Sequence, residues 1–424
     1  MKRIIFCYWP LTIVFLLLFT SGTLYGQFSL SGELRPRTEY RHGYKSLTDA
    51  DQDPAFFVSQ RSRINFNYLS EKYRVLFSFQ DVRTWGSTSQ LNVSDDFLSI
   101  HQAWGEVFLT PVLSLKVGRQ ELVYDNHRIF GNVGWTQQAR SHDLVLFKYN
   151  KPERLQVHLG LAFNQNKEQL ASTFYTVPKN YKSMQFLWVR TEGNSVGASF
   201  LFLNNGMQFT DTLDRSSVNY SQTLGTYLNV KLGTFKLNLT GYYQGGKDPS
   251  GNELSATYFA AGIIKPLDFG LAPAFGFERL SGTGQDASPG SANHSFTPLY
   301  GTNHKFNGHM DYFYVGNHIN SVGLLDLYLN ISYIKGKFRP AVALHYFSSA
   351  ANVLDNGSPG NYLNRFLGVE SDISAGYKLA DEVLIKAGYS QMFGSPTLEA
   401  LRGGDHSLPT NWGWLMISFT PDFL

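Results

Sequence analysis

Residues Leu113 to Asp143 read LSLKVGRQELVYDNHRIFGNVGWTQQARSHD. The stretch begins as an alternating run, with Leu113, Leu115 and Val117 on one face and Ser114, Lys116 and Gly118 on the other. Successive strand side chains point to opposite faces, so this is the signature of a β-strand with one apolar and one polar side. The run then opens into a long loop carrying Asp125, Arg128, Trp135 and Arg140, and a second alternating run, His142 to Tyr149, brings the chain back. The same unit of strand, polar loop and strand recurs along the chain, and that recurrence decides the fold class: all-β and antiparallel.

Working outward, Phe28 to Tyr40 puts Phe28, Leu30 and Leu34 on one face and Ser29, Ser31, Glu33, Arg35, Arg37 and Glu39 on the other. Pro36 falls on the apolar face, where its missing N–H suggests a strand end or a bulge. Alternation of this kind gives about eighteen strands, each near the roughly ten residues that a tilted membrane strand needs. The connections decide between a barrel and a soluble sandwich, because they alternate short and long. Short ones include Ser70 to Lys72, Gly193 with Asn194, and Gly336 with Lys337; long ones include Arg41 to Ala55, Gln165 to Lys182 and Ser281 to Val322. Short periplasmic turns and long extracellular loops are the pattern of a transmembrane β-barrel. Tyr68, Tyr73, Tyr124, Tyr149, Tyr242, Tyr243, Phe338, Tyr346, Phe347, Tyr377 and Phe419 lie near strand ends, as interfacial girdles require.

Composition agrees. Aromatic residues make up 15% of the 424 residues and charged ones 16%, with 39 Gly and no internal apolar run long enough for a membrane helix. In a barrel, lipid-facing and lumen-facing residues alternate and cancel in any average. Met1 to Gly26 reads as a secretory signal, with Lys2 and Arg3 before an apolar centre from Leu11 to Phe19. Residues 27–424 then form one barrel domain. The one cysteine, Cys7, falls within the signal, so neither a disulfide nor a thiolate metal site is expected in the mature chain. Without Lys2 and Arg3 the 36 basic residues become 34 against 33 acidic, so net charge identifies no partner and placement must.

Gly118 to Asp143 resembles the alginate export family of outer-membrane proteins. QDVRTWG at Gln80 to Gly86, FERLSG at Phe277 to Gly282, FTPLYGTNHKFNGHMDYF at Phe296 to Phe313 and LGVESDISAGYKL at Leu367 to Leu379 agree with it in order along the chain. The resemblance covers the whole mature sequence. It implies an eighteen-stranded barrel and export of an acidic polysaccharide, with the motif positions as pore or loop residues.

On the residues themselves, the expected pore lining is basic: Arg35, Arg37, Arg61, Arg63, Lys116, Arg119, Arg128 and Arg140. Guanidinium groups bind carboxylates bidentately, and rings of Arg or Lys select anions. Glu33, Glu39, Asp81, Glu106 and Glu121 are the carboxylates available to pair with them, and Arg119 is ambiguous in phase. The longest loop, Ser281 to Val322, either folds inward as a constriction or caps the mouth, with His304, Lys305, His309 and Asp311 as constriction candidates. The spacing of His294, His304, His309 and Asp311 matches no metal-ligand pattern, and no metal or cofactor is expected. Ser141, His142 and Asp143 are consecutive and cannot converge as a catalytic triad, so no enzyme activity is expected. No basic run interleaved with aromatics supports nucleic-acid binding. The expected function is an outer-membrane channel of a Gram-negative bacterium, monomeric in the lipid bilayer, passing a hydrophilic, anionic solute. Periplasmic partners would set export or uptake. A general or sugar-specific diffusion porin and a plugged barrel that binds a surface ligand are the alternatives.

Overall fold

The computed structural model describes residues 26–424, apart from residue 153 and residues 211–215. The expected signal therefore lies outside the described residues except for Gly26, where the first strand begins. Eighteen antiparallel strands follow: β1 (Gly26–His42), β2 (Ala55–Ser70), β3 (Tyr73–Thr84), β4 (Leu98–Phe108), β5 (Leu113–Gln120), β6 (His142–Lys151), β7 (Leu155–Phe163), β8 (Ser183–Glu192), β9 (Val196–Thr210), β10 (Ser216–Leu232), β11 (Phe235–Lys247), β12 (Glu253–Ile264), β13 (Leu271–Leu280), β14 (Leu324–Tyr333), β15 (Phe338–Ser348), β16 (Phe366–Ala380), β17 (Val383–Gly394) and β18 (Thr410–Phe419). Each strand pairs with its neighbours in sequence, and β1 closes onto β18. Closure leaves no unpaired edge, which hydrocarbon requires because it offers backbone groups no hydrogen bonds.

Alternation sets the two faces. On β7, Leu159, Leu161 and Phe163 point outward and are exposed, while His158 and Ala162 point inward and are buried. Adjacent aromatics therefore divide: Tyr243 faces out and Tyr242 in, Tyr346 out and Phe347 in. Tyr124, Tyr242 and Phe347 are consequently interior residues rather than members of a girdle, whereas Tyr73, Tyr377 and Phe419 do lie on the outer face near strand ends. Pro36 sits mid-strand, against expectation, with continuous pairing to β2 opposite Gln60. The β1–β18 ladder steps from Leu34 to Arg37, so Pro36 takes no partner at the barrel seam and costs no pairing there.

The interior is filled by loops rather than by a separate domain. The β5–β6 loop (121–141) and the β13–β14 loop (281–323) both enter the barrel and pack on each other. Phe130, Phe296 and Tyr312 from these loops are buried with Trp412 of β18 and Tyr258 of β12. A short helix, α1 (Pro396–Arg402), stands in the β17–β18 loop, capped by the Ser395 side chain accepting from Leu398 N.

Candidate functional site

Strand phase brings the first arginines together. Arg35 lies opposite Arg61, and Glu33 opposite Arg63, across the β1–β2 ladder. Like charges side by side need a counter-charge, and Glu33 supplies it, 2.7 Å from Arg61 Nη2 and 3.6 Å from Arg35 Nη1. The remaining donors turn to the β5–β6 loop. Arg35 donates to Gly134 O at 2.8 Å, Thr136 O at 3.0 Å and Gln137 Oε1 at 3.0 Å. Arg61 donates to Gln137 O at 3.2 Å, and Arg37 to Trp135 O at 2.7 Å while its other side is held by Glu39 at 2.9 Å. Irregular backbone inside a barrel must have its carbonyls satisfied, and three guanidiniums do this for residues 134–137.

The second loop completes the obstruction. Trp135 stacks on His304 with ring centroids 4.1 Å apart and meets Trp414 edge-on at 4.8 Å. Gly131 N donates to Tyr300 O at 2.9 Å and Thr302 N to His127 O at 2.9 Å, so the two loops run as a short parallel pair. Arg128 is buried between them and the wall, 2.9 Å from Glu278 Oε2 and 2.9 Å from Asn307 Oδ1. The tip of the second loop then docks on β13–β16. Asn307 donates to Asp326 at 3.1 Å, and Met310 N to Glu370 Oε1 at 2.7 Å. Gly308 has φ 83°, and a Cβ there would stand 2.6 Å from the Glu370 carboxyl, so both backbone hand and close approach require glycine. Asp311 accepts from Tyr44 Oη at 2.5 Å and lies 3.8 Å from His304 Nδ1. Burial alone would raise the Asp311 carboxyl, but His304 and Tyr44 hold it below its ordinary value. Burial, and beyond it neighbouring His304, pulls His309 down to about 4 against the attraction of Asp372.

The expected pore residues thus divide. Arg35, Arg37 and Arg61 are buried and engaged with the loop, and Arg128 is buried in an ion pair. Arg119 is a correction: counting in twos from inward Lys116 puts it outside, where it pairs with Asp143 at 2.8 Å on the exposed outer face. Arg63 faces the lumen and donates to Gln80 Oε1 at 2.7 Å. Lys116 lies 3.7 Å from the Trp104 ring centroid, a cation–π contact. Arg140 is half-buried and donates to Gly301 O at 2.9 Å. Of the loop candidates, His304 and Asp311 are buried against Trp135 and Tyr44, His309 faces β16, and exposed Lys305 donates to Asn126 O at 2.9 Å.

Sequence reading missed Arg74 and Lys386 on the inward phases of β3 and β17. With Arg63, Lys116 and Arg339 they are inward cations that form no ion pair with a carboxylate among the described residues; Glu106, opposite Arg74 and Lys116, is taken by Lys148 at 2.8 Å. It also missed that the β5–β6 loop enters the barrel. Around the loops the lumen keeps open space, including a cavity of about 360 Å³ bordered by Asp125, Lys305, Glu278, Asp326, Tyr328 and His345. Glu278 and Asp326, on β13 and β14, stand about half the strand order away from Lys116 and are paired with Arg128 and His345.

Ser141, His142 and Asp143 diverge. Ser141 Oγ donates to His101 O at 2.6 Å, His142 Nδ1 meets Tyr181 Oη at 3.2 Å, and Asp143 faces outward. Ser141 Oγ also lies 3.2 Å from His101 Nδ1, and His101 Nε2 continues to Glu121 at 2.7 Å, so this row ties β4 to the loop. Among the described residues the group spaced for a metal is Glu399, Asp405 and His406 at the outer end, away from the expected histidines; the His406–Glu399 hydrogen bond at 2.5 Å accounts for it.

Residues 27–394 match the model of the alginate export family. The chain belongs to the alginate export family. As a member, it carries an outer-membrane, porin-like barrel and the channel fold that goes with it. Among solved structures it is similar to OpdO of Pseudomonas aeruginosa, with TM-score 0.62 and 14% identity over 94% of this chain and 98% of that one. It is likewise similar to OpdL of the same organism, with TM-score 0.62 and 13% identity over 94% and 99%. OpdK of Pseudomonas aeruginosa, solved with vanillate, gives TM-score 0.58 and 11% identity over 93% and 99%. At these identities the likeness shows the fold. No curated protein matches the sequence.

Proposed function

We propose that this alginate export family barrel is a monomeric diffusion channel in the outer membrane of a Gram-negative cell, for a hydrophilic, anionic solute of the acidic-oligosaccharide class. The observation that carries the reading is a set of lumen-facing cations without a carboxylate partner among the described residues, which includes Arg63, Arg74, Lys116, Arg339 and Lys386. Each offers a carboxylate a weak, partly hydrated contact, strong enough to admit it and weak enough to release it. Arg63 and Lys116 come from the expected lining. Arg35, Arg37 and Arg61 act one step back, by fixing the loop that narrows the path. Export or uptake follows from periplasmic partners. OpdK, a barrel of similar fold, was solved with vanillate, a small organic anion, which supports the reading by analogy of fold. The test is the reversal potential of the purified protein in a planar bilayer under a salt gradient, followed by addition of an oligouronate. Anion preference with block by the acidic sugar supports the reading; an unselective pore refutes it.

A second reading, a plugged barrel that binds a ligand at the cell surface, is favoured by one observation. The two loops bury Phe130, Phe296, Tyr312 and Trp412 together inside the barrel. Absence of conductance from a correctly folded protein would favour it over the channel.

A further inference from the structure

We infer that the β5–β6 loop is a clasp across the line where the barrel closes, so that the constriction and the β1–β18 seam are held, and released, as one unit. The coupling holds whatever solute the path admits, and so goes beyond the channel reading above. The seam has a gap in it. Leu34 pairs with Phe419 and Arg37 with Met416 in the same register, yet Arg35 and Pro36 take no partner opposite Ser418 and Ile417. On its other edge β1 pairs with β2 without a break from Gly26 to Arg41. Proline has no N–H to give, and hydrocarbon supplies no substitute donor. What holds the two strands together at this height must come from side chains or from the lumen.

The lumen side supplies it. β18 points Trp412, Trp414 and Met416 inward, and all three are buried. A barrel wall that faced water would be polar there; a docked partner accounts for the apolar row. Trp135 is that partner. Its ring centroid lies 4.8 Å from that of Trp414 and 5.9 Å from that of Trp412. The Arg37 guanidinium of β1 stands 4.4 Å from the same ring and donates to the Trp135 carbonyl at 2.7 Å. One loop residue therefore grips both strands of the seam.

Its neighbours fix the loop to the β1 side. Arg35 donates to Gly134 O at 2.8 Å, and Gln137 Nε2 donates to the main-chain carbonyls of Arg35 at 3.3 Å and Ser59 at 3.2 Å. Trp412 Nε1 adds a direct tie across the seam, donating to Glu39 Oε2 at 3.0 Å. Room for the aromatic side is built into β17, where a Cβ on Gly388 would stand 2.5 Å from the Trp414 ring. Loop docking and seam closure thus share the same contacts. Coupling of this kind is reciprocal: what the docked loop does for the seam, a closed seam does for the loop.

The test is hydrogen–deuterium exchange of the full-length protein in nanodiscs, wild type against Trp135→Ala, with a staple placed across the seam. Thr38 and Leu415 are register partners, and residues 27–424 contain no cysteine, so Thr38→Cys with Leu415→Cys gives a single defined disulfide. In Trp135→Ala, exchange along β18 and the facing part of β1 should rise about tenfold or more while the β8–β9 ladder stays as in the wild type. Oxidising the staple in that variant should restore protection. By reciprocity, the oxidised staple in an otherwise wild-type barrel should make loop-release flicker in single-channel records rarer than in the reduced form. Seam exchange equal to wild type in folded Trp135→Ala overturns the inference, and so does a rise shared equally by β8–β9. If Trp135→Ala does not fold, flicker that is the same with the staple oxidised or reduced overturns it.

Discussion

Two groups of inward-pointing cations share the same side of this barrel and do different things. Arg35, Arg37 and Arg61 are buried, matched by Glu33 and Glu39, and spend their remaining donors on the carbonyls of residues 134–137. Arg63, Arg74 and Lys116 sit on nearby strands with amide or aromatic neighbours and no paired carboxylate among the described residues. The first group sets the shape of the path and the second its charge. A guanidinium on the polar face of a strand is therefore not in itself a solute site; what its donors already hold decides.

The largest effect should come from breaking the first group. Arg35→Ala removes contacts to Gly134, Thr136 and Gln137 and leaves Glu33 one cation short. Unsatisfied buried groups cost about 1–3 kcal/mol each, so the loop should loosen. The expected outcome is a lower unfolding temperature of the barrel together with higher and noisier single-channel conductance. A quiet, wild-type pore would show that the loop is held by its aromatic packing alone.

Acidification should come next, and it separates the two loops. His309, held neutral in the fold with its value pulled to about 4, binds its proton more readily when unfolded or released, near 6.5. A depressed value in the folded state means that stability of the docked loop tip falls as pH drops from about 6.5 toward 4. Asp311, also held below its ordinary value, keeps its contribution above that range and loses it at lower pH still. Conductance recorded across this range should rise or begin to flicker below pH 6, and His309→Gln should remove the upper part of that transition. A flat profile would mean the tip stays docked whatever the charge of His309.

A smaller effect, chiefly on selectivity, is expected from the second group. Lys116→Gln combined with Arg74→Gln should lower anion preference, at a stability cost of about 1–2 kcal/mol for the lost Arg74–Asn67 hydrogen bond and Lys116–Trp104 cation–π contact. Unchanged selectivity would shift the charge of the path to Arg63 and Lys386. The smallest effect belongs to Arg119→Gln. Its exposed pair with Asp143 lies on the outer face, so conductance and selectivity should match wild type and stability should change by about 0.5 kcal/mol or less.

The strands were legible because alternation is a local signal. Phe28 to Tyr40 and Tyr73 to Arg83 could be read residue by residue, and β1 and β3 lie there. Arg119 was ambiguous for a local reason too: it follows Gly118, which supplies no side chain to fix the phase, and the count from Lys116 resolves it. The filling of the barrel was not legible. Phe130, Tyr300 and Tyr312 stand in loops with no periodicity, and their partners are far away in sequence, as Tyr312 with Gly43 and Arg35 with Gly134. Nothing in the spacing of Arg35, Arg37 and Arg61 announces that one loop will meet all three strand positions. The expectation of a constriction in the second loop rested on length, and length does not reveal that the first loop enters as well.

The most direct test of the division between holding and selecting cations is the reversal potential under a tenfold salt gradient, measured for the wild type and for Lys116→Gln with Arg74→Gln. The account predicts an anion-selective wild type and a folded, conducting variant whose potential is shifted toward zero. A wild-type potential at zero or on the cation side would contradict it.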